Sequence, residues 1–288
     1  MNNNYLNDQK STVPSFEHLE KADYLIFDQE QLYYVLHPTE LPLRARVLLA
    51  GTFASERSQS YISWVRWARY LASHGFEALR FDYRGVGEST GRFEDFGLRA
   101  WADDLLYCAD WLQQRSPSSP LVIHGLGMGA LLGNRLYTQG IGDVLLSWLP
   151  PKSAREMLYE QLKIKLSNNF SLPSGERKTR DQLIADLENG EIVEVEGNNW
   201  TSRLWSEAAE FVFSENTPSD QTMGSSRRSR YIAELDPLTA HILGGVGPNP
   251  LRAQGRVRLL NPDLTRCFNS TTDWLNHTLE KLKVSQNA

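Results

Sequence analysis

The segment HGLGMGALLG, residues 124–133, has a glycine spacing that occurs in two different reactive turns. It follows the apolar run SPLVI, which is typical of a buried strand. The spacing G-x-G-x-x-A is found in turns that bind the pyrophosphate of a dinucleotide. The spacing G-x-S-x-G is found in a nucleophile elbow, where a sharp strand-to-helix turn exposes a serine. Gly127 stands at the serine position, so the second interpretation lacks its reacting atom.

The surroundings of the turn disfavour the dinucleotide interpretation. A dinucleotide turn normally follows the first strand of its sheet and needs an acidic residue at the end of the next strand. Here at least two predicted strands precede the turn, and the next one, DVLLSWLP, ends without a carboxylate. An NAD-type oxidoreductase is therefore the weakest of three functional alternatives.

Three further segments favour the nucleophile elbow. The segment FDYRGVGEST resembles the D-x-R-G-x-G-x-S loop that is common in α/β-hydrolases. The segment LLAGTF places Thr52 and Phe53 where that fold donates one amide of its oxyanion hole. The segment RYIAELDPLTAHI resembles the strand end that carries the catalytic acid, which makes Asp236 the candidate.

Longer stretches resemble the exosortase A system-associated hydrolases of bacteria, particularly the second type. The similarity runs from about residue 23 to residue 209 and includes FASERSQSYISWVRWARYLASHGFEALRFDYRGVGESTGRF, HGLGMGALL, LSWLPPKSAREMLYEQL and SGERKTRDQLIADLENGEIVEVEGNNWTSRL. The resemblance implies an α/β-hydrolase fold and a connection with exopolysaccharide production or protein sorting at the cell envelope. It also implies tolerance of a non-serine residue at the elbow, as in other members of that type.

The order of predicted elements agrees with this fold class. Strands are predicted at 23–28, 32–37, 46–51, 76–82, 121–125, 143–150, 191–197, 230–236 and 256–261, and helices at 60–75, 98–115, 129–138, 202–213 and 271–283. Cys108 lies on the apolar stripe of the second helix, so we expect it in the core. The alternation predicts an α/β protein with a mostly parallel central sheet flanked by helices.

The chain divides into three predicted parts. Residues 1–22 are polar and predicted to be a flexible N-terminal segment, and residues 23–151 and 191–288 form the α/β-hydrolase core. Residues 152–190 follow a Pro-Pro pair and are mostly helical, with leucines four residues apart in AREMLYEQLKIKL. We therefore predict a lid-like helical insertion between the two halves of the core.

The residues needed for acyl transfer are incomplete. The reaction requires an activated nucleophile, a base and an oxyanion hole. Gly127 has no side-chain atom, and the thioether of Met128 is a poor nucleophile that we expect to pack in the core. The fold places its histidine after the last strand, but NPDLTRCFNS contains none, and His277 is expected to face water. Cys267 in that segment is interpreted as a spectator, so no catalytic residue is assigned beyond the candidate Asp236.

The backbone groups that bind a ligand could remain at such a site although the catalytic side chains are absent. The backbone N–H groups of Met128 and of Thr52 or Phe53 could accept a carboxylate, a phosphate or an acyl carbonyl at a helix N-terminus. His124 precedes the elbow and could border this pocket, although a structural role is open for it and for His241.

The composition limits the kinds of binding partner and the cellular location that we expect for the protein. The net charge of −5 gives no basic field for nucleic acid, and Arg227, Arg228 and Arg230 are interpreted as a solvated loop. Two cysteines make neither a disulfide framework nor a metal site. The N-terminus lacks a signal-peptide core, and no run approaches the roughly 20 apolar residues of a membrane span. We expect a cytoplasmic protein without cofactor, metal or transmembrane segment.

The sequence leaves two main functional alternatives. The first is a catalytically inactive hydrolase homologue, a pseudoenzyme, that binds a small molecule or a protein partner. The second is an active carboxylic-ester, acyl or peptide hydrolase that uses an atypical site.

Overall fold

A computed structural model describes residues 19–52, 54–168, 178–214, 228–233 and 262–286. The strands are β1 Lys21–Phe27, β2 Glu30–His37, β3 Ala45–Ala50, β4 Phe76–Phe81, β5 Leu121–Leu126, β6 Val144–Trp148, β7 Val193–Val195, β8 Asn198–Trp200 and β9 Ser229–Ala233. The helices are α1 Ser55–Ala72, α2 Leu98–Arg115, α3 Met128–Thr138, α4 Ala154–Asn168, α5 Arg180–Glu188, α6 Ser202–Glu207 and α7 Pro262–Gln286.

Seven strands form one sheet in the order β1-β2-β4-β3-β5-β6-β9. Strand β2 runs antiparallel to β1 and β4, and all other neighbours are parallel. Every residue of β3, β5 and β6 is buried, which is typical of parallel strands covered by helices on both faces. The predicted fold class, a mostly parallel sheet flanked by helices, is confirmed.

Each face of the sheet has its own hydrophobic layer. Helices α2, α3 and α4 cover one face, where Trp101 and Leu158 are fully buried, and α1 and α7 cover the other, where Trp67 and Leu275 are fully buried. Cys108 lies in the first layer with no exposed surface, as predicted. Replacing either tryptophan by alanine would cost about 3–5 kcal/mol, because the neighbours collapse only partly into the space.

The segment after α5 departs from the prediction. Residues 191–197 were expected to return to the main sheet, but Val193–Val195 pairs only with Asn198–Trp200 in a separate hairpin. Glu196 and Gly197 both have positive φ, 48° and 82°, as a type I′ turn requires. This two-residue turn reverses the chain before a longer strand can form. Helix α6 also ends earlier than predicted, at Glu207 instead of residue 213.

The C-terminal helix begins at Pro262, nine residues before the start predicted at residue 271. Proline suits the first position of a helix, because the N–H it lacks has no intrahelical acceptor there. Cys267 consequently lies on a helix, where it is buried against α1 and β6. The predicted strand 256–261 lies outside the described residues.

The arginines of the 227–230 segment do not form a solvated loop where they are described. The guanidinium of Arg228 donates hydrogen bonds to the carbonyl oxygens of Gly142 and Ile141, at 3.0 and 2.8 Å, and lies over the ring of Tyr137. Arg230 donates to the carbonyl of Ser214 at 2.6 Å. The Arg228 bonds tie the start of β9 to the loop before β6, and the Arg230 bond ties β9 to the segment after α6. The solvated interpretation is therefore wrong for both side chains.

Candidate functional site

A sharp turn joins β5 to α3 at the carboxyl edge of the parallel strands. Its corner, Gly127, has φ 57° and ψ −122°, a conformation that is unfavourable for residues with a side chain. The N–H of Gly127 donates to the carbonyl of Trp148 at 3.0 Å, and its own carbonyl accepts from Ala130 at 3.0 Å. The backbone therefore has the strained strand-turn-helix form of a nucleophile elbow.

The glycines on either side of this corner are required by close packing. A Cβ on Gly125 would lie 2.3 Å from the Cα of Ala130, and a Cβ on Gly129 would lie 2.0 Å from the carbonyl oxygen of Ala50. Neither contact can be relieved without moving backbone. The glycine spacing therefore reflects the tight approach of α3 to β3 and β5, which an elbow needs and which does not depend on a nucleotide.

A buried carboxyl group faces the corner. A Cβ on Gly127 would lie 3.0 Å from Cγ2 of Thr52 and 3.3 Å from Oε2 of Glu56. Glu56 is 8% exposed, and its Oε1 accepts a hydrogen bond of 3.3 Å from Nε2 of Gln161 on α4. Burial raises the pKa of Glu56 to about 7, and the hydrogen bond from Gln161 partly opposes that rise. An acid therefore lies where the side chain of a serine nucleophile would project.

Two local features point Glu56 toward the elbow. The guanidinium of the next residue, Arg57, donates to both carboxylate oxygens of Asp82, at 2.8 and 2.7 Å. Because neighbouring helix residues point about 100° apart, holding Arg57 against the loop after β4 leaves Glu56 on a different side of α1. The hydroxyl of Ser60 donates to the backbone carbonyl of Glu56 at 3.0 Å, and it lies 2.8 Å from the hydroxyl of Thr52. These contacts tie the first turn of α1 to the loop after β3.

The other residues predicted at the elbow have different positions. Met128 begins α3 with its side chain fully buried in the core. Its N–H is one of the first amides of the helix, which have no intrahelical acceptor. Thr52 lies beside Gly127 as described above, whereas Phe53 and the candidate acid Asp236 lie outside the described residues.

His124 does not border the elbow, where one interpretation of the sequence placed it, but has the structural role that the sequence also left open. Its ring is fully buried and packs against Trp64, Trp67 and Trp148, with centroid separations of 4.7 to 5.9 Å. Its Nδ1 lies 3.1 Å from the carbonyl of Leu146. Burial lowers the pKa of His124 to about 3, so the ring is neutral. The alternation of side chains along β5 explains this position, because His124 shares the α1 face with Val122 and Leu126.

Two of the other described histidines lie at the opposite edge of the sheet from the elbow. His37 ends the antiparallel strand β2 opposite Ala78 and accepts a hydrogen bond from Arg80 at 3.0 Å. His74 follows the C-terminus of α1, where its Nδ1 lies 2.7 Å from the carbonyl of Tyr70. Both are at the amino edge of the parallel strands, opposite Gly127. His277 is exposed on α7, as predicted.

The described residues contain neither a metal-site cluster nor a membrane-spanning helix. Within the ranges given above, no three His, Cys, Asp or Glu side chains come together as a metal site would require. None of the helices described there is long and apolar enough to cross a bilayer.

Comparison with known proteins places this arrangement in context. Residues 52–143, from the loop after β3 to the start of β6, match the family model described as serine aminopeptidase, S33. The chain is 29% identical over 189 residues to a non-heme chloroperoxidase of Kitasatospora aureofaciens, covering 64% of this chain and 58% of that protein. It is 33% identical over 133 residues to a lysophosphatidylserine lipase of Danio rerio, covering 44% of this chain and 31% of that protein.

A solved structure extends the similarity over more of the chain. Est1E of Butyrivibrio proteoclasticus, determined with ferulic acid bound, aligns with a TM-score of 0.60 over 90% of this chain and 100% of its own, at 12% identity. That likeness concerns the fold alone. Together with the elbow geometry and the strand order, it leads to one conclusion: the chain has the α/β-hydrolase fold, and residues 52–143 of it match the serine aminopeptidase, S33, family model.

Proposed function

We propose that this chain is a catalytically inactive hydrolase homologue that binds a small molecule or a protein partner near the elbow. The observation that carries the proposal is the corner itself. Gly127 has the backbone of a nucleophile position without a reacting atom, and the carboxyl of Glu56 faces it. The Glu56 carboxyl group occupies the space beside the corner, and when ionised it repels an anionic ligand. We therefore propose a neutral, hydrogen-bonding ligand instead of the anion expected from the sequence.

The proposal is tested by labelling and turnover with purified protein. We expect no covalent labelling by a fluorophosphonate probe and no hydrolysis of short p-nitrophenyl esters above the buffer rate. Serine hydrolases react with such probes because their nucleophile is activated by a neighbouring base. Probe attached to any serine of this chain, together with ester turnover that its replacement by alanine abolishes, would contradict the proposal.

Glu56 favours a second candidate, the hydrolase with an atypical site. In that mechanism the Glu56 carboxylate removes a proton from water as the water oxygen attacks an acyl carbon. The carbonyl oxygen takes up the negative charge beside the N–H of Met128. The ester C–O bond then breaks, and Glu56 returns the proton to the departing alkoxide. A pKa of about 7 suits a general base at neutral pH.

The two candidates are separated by Glu56→Gln, which keeps the size of the side chain and removes its basicity. A general base contributes about 10²–10⁴-fold to a rate. The second candidate therefore predicts ester turnover in the unmodified protein that falls by at least about 100-fold in the variant. Asp236→Ala tests the candidate acid in the same assay. Absence of turnover in the unmodified protein rules out this candidate for short esters.

The cellular setting is proposed from the sequence resemblance alone. We propose a cytoplasmic bacterial protein connected with exosortase or exopolysaccharide systems. The curated relatives do not narrow the substrate, because their names give different reactions and the chain spans 58% and 31% of their lengths. Deleting the gene and measuring exopolysaccharide output and envelope protein sorting tests the connection. Unchanged output and sorting would contradict it.

A further inference from the structure

One side-chain contact joins the start of α1 to the insertion helix α4. Glu56 and Gln161 are 105 residues apart in the chain, and they are 8% and 1% exposed. The bond between them, at 3.3 Å, is long for an N–H···O hydrogen bond. Within the described residues it is the one hydrogen bond that the carboxyl group receives, and Oε1 of Gln161 has no partner there.

This environment favours the protonated form of Glu56. A buried carboxylate normally needs a cation or several N–H donors to replace the water it has lost, and one neutral amide is a poor substitute. The N-terminus of α1 favours the ionised form, but such helix effects are small beside the loss of hydration. A protonated acid suits the amide better, because the amide can turn over so that its oxygen accepts the acid O–H.

The described charged side chains nearest to Glu56 and Gln161 in the chain are already paired, and Arg155, at the far end of α4, lies over the ring of Trp205. On α1, Arg57 is closed on Asp82 of the loop after β4. The first turn of α3 has no acidic or basic residue. Ion pairs on α4 leave no free cation near Gln161: Glu160 pairs with Lys163, and Lys165 pairs with Glu194. The described groups that touch the site, namely Thr52, Ser60, Gly127 and Gln161, are uncharged.

We propose that Glu56 is a proton-operated latch between the core and the insertion. Protonated Glu56 closes the seam between α1 and α4 by pairing with Gln161, and it covers Gly127. Loss of the proton leaves a buried charge, which drives the C-terminal half of α4 away from α1 so that water can reach the carboxylate. The elbow is then uncovered.

The motion is local because apolar contacts hold the rest of the insertion. Ala154 and Leu158, in the N-terminal half of α4, are fully buried in the same layer as Leu187 of α5. The N–H of Ala154 also donates to the carbonyl of Phe211 at 2.8 Å. The inference concerns the protein alone, so it stands or falls separately from the proposed binding function.

Hydrogen exchange of the backbone amides tests the latch. Exchange in peptides from residues 154–168 would be followed between pH 5 and pH 8, corrected for the intrinsic effect of pH and compared with peptides from α2. The pKa of Glu56 is about 7 when closed and near 4.5 when hydrated. The protection of α4 should therefore fall by about tenfold per pH unit between these values, about a hundredfold from pH 5 to pH 8, and level off above pH 7.

Two variants make the test specific. Glu56→Gln should keep α4 protected at all pH values, because an amide at position 56 pairs with Gln161 without titrating. Glu160→Gln removes an acid from the same helix away from the seam and should retain the full pH dependence. Constant protection in the unmodified protein, or the same loss of protection in Glu56→Gln, would overturn the latch. The series on the unmodified protein decides the question even if the variant does not fold.

Discussion

Asp104 and Glu56 are both buried carboxyl groups of this core, but their partners differ. Asp104 on α2 is fully buried, and it accepts hydrogen bonds from the backbone N–H of Arg84, at 2.9 Å, and from the guanidinium of the same residue. Glu56 receives one bond from a neutral amide. Burial raises the pKa of Asp104 to about 6 against the opposing effect of Arg84, and raises that of Glu56 to about 7.

The difference separates a structural acid from a titrating one. The Asp104–Arg84 pair fixes the loop after β4, since Arg84 also donates to Asp28 at 2.7 Å and its carbonyl accepts from Trp101 at 2.9 Å. A buried group with a fixed counter-charge stays ionised at neutral pH and holds one conformation. Glu56 has no such counter-charge among its described neighbours, and its pKa of about 7 lies closer to neutral pH than the pKa of about 6 of Asp104.

The largest expected effect is on the paired acid. Asp104→Asn should lower the free energy of unfolding by about 3 kcal/mol at pH 7, because it leaves the buried Arg84 guanidinium with the exposed carboxylate of Asp28 as its one remaining described counter-charge. Urea denaturation monitored by tryptophan fluorescence measures this. Asp103→Asn is the matched control, since Asp103 is exposed on the same helix, and we expect a change below about 0.5 kcal/mol. Equal effects of the two substitutions would refute the structural role.

Replacing Glu56, which has no counter-charge among its described neighbours, should raise the free energy of unfolding instead of lowering it. The pKa of Glu56 is raised on folding from 4.5 to about 7, so its contribution to stability is complete below pH 4.5 and is lost as the pH rises to about 7. Glu56→Gln should therefore stabilise the protein above pH 7 by about 3 kcal/mol, from 1.36 kcal/mol per pKa unit. At pH 4.5 the gain should vanish. Denaturation curves across this range measure it, and destabilisation by the variant at pH 8 would contradict the account.

A smaller effect is expected at the elbow. Gly127→Ser places a side chain on a residue with φ 57°, 3.0 Å from Thr52 and 3.3 Å from Glu56, and should cost about 1–2 kcal/mol. We expect no esterase activity from it, because no histidine of the described chain lies near enough to activate the hydroxyl. Gly140→Ser is a matched control, with φ 97° and open surroundings. Ester hydrolysis gained by Gly127→Ser would reveal a base that the account does not include.

The smallest effect concerns an exposed acid beside the latch. Glu160→Gln breaks a surface pair with Lys163 and should change the free energy of unfolding by less than about 0.5 kcal/mol at any pH. The comparison with Glu56→Gln then isolates burial as the cause. A pH-dependent effect of similar size at both positions would show that the general charge of α4, not the buried group, determines stability.

The sequence was sufficient for the fold and for the shape of the elbow. Alternating apolar runs predicted the strands and helices of the parallel sheet, and the spacing of Gly125, Gly127 and Gly129 predicted the turn, because close packing there excludes a Cβ. These features depend on local pattern. The short hairpin at residues 193–200 was missed because a two-residue turn, Glu196-Gly197, decided it.

The chemistry of the site depended on contacts between distant residues. In the sequence, Glu56 is an unremarked acid in the first turn of a helix, where acids are common. Its role at the site follows from its contact with Gln161, 105 residues later, and from the position of the loop that holds Thr52. The two alternatives for His124 stayed open for the same reason, since adjacency to the elbow in the chain does not show which face of β5 carries the ring.

The most direct measurement is an NMR titration of the side-chain carboxyl carbons in protein labelled with ¹³C at glutamate Cδ. The resonance that disappears in Glu56→Gln identifies the group beside Gly127. The account predicts that this resonance titrates with a pKa of about 7 in the folded protein. A midpoint at or below 4.5 would show an ionised, well-hydrated carboxylate at the elbow, and the closed seam between α1 and α4 would have to be abandoned.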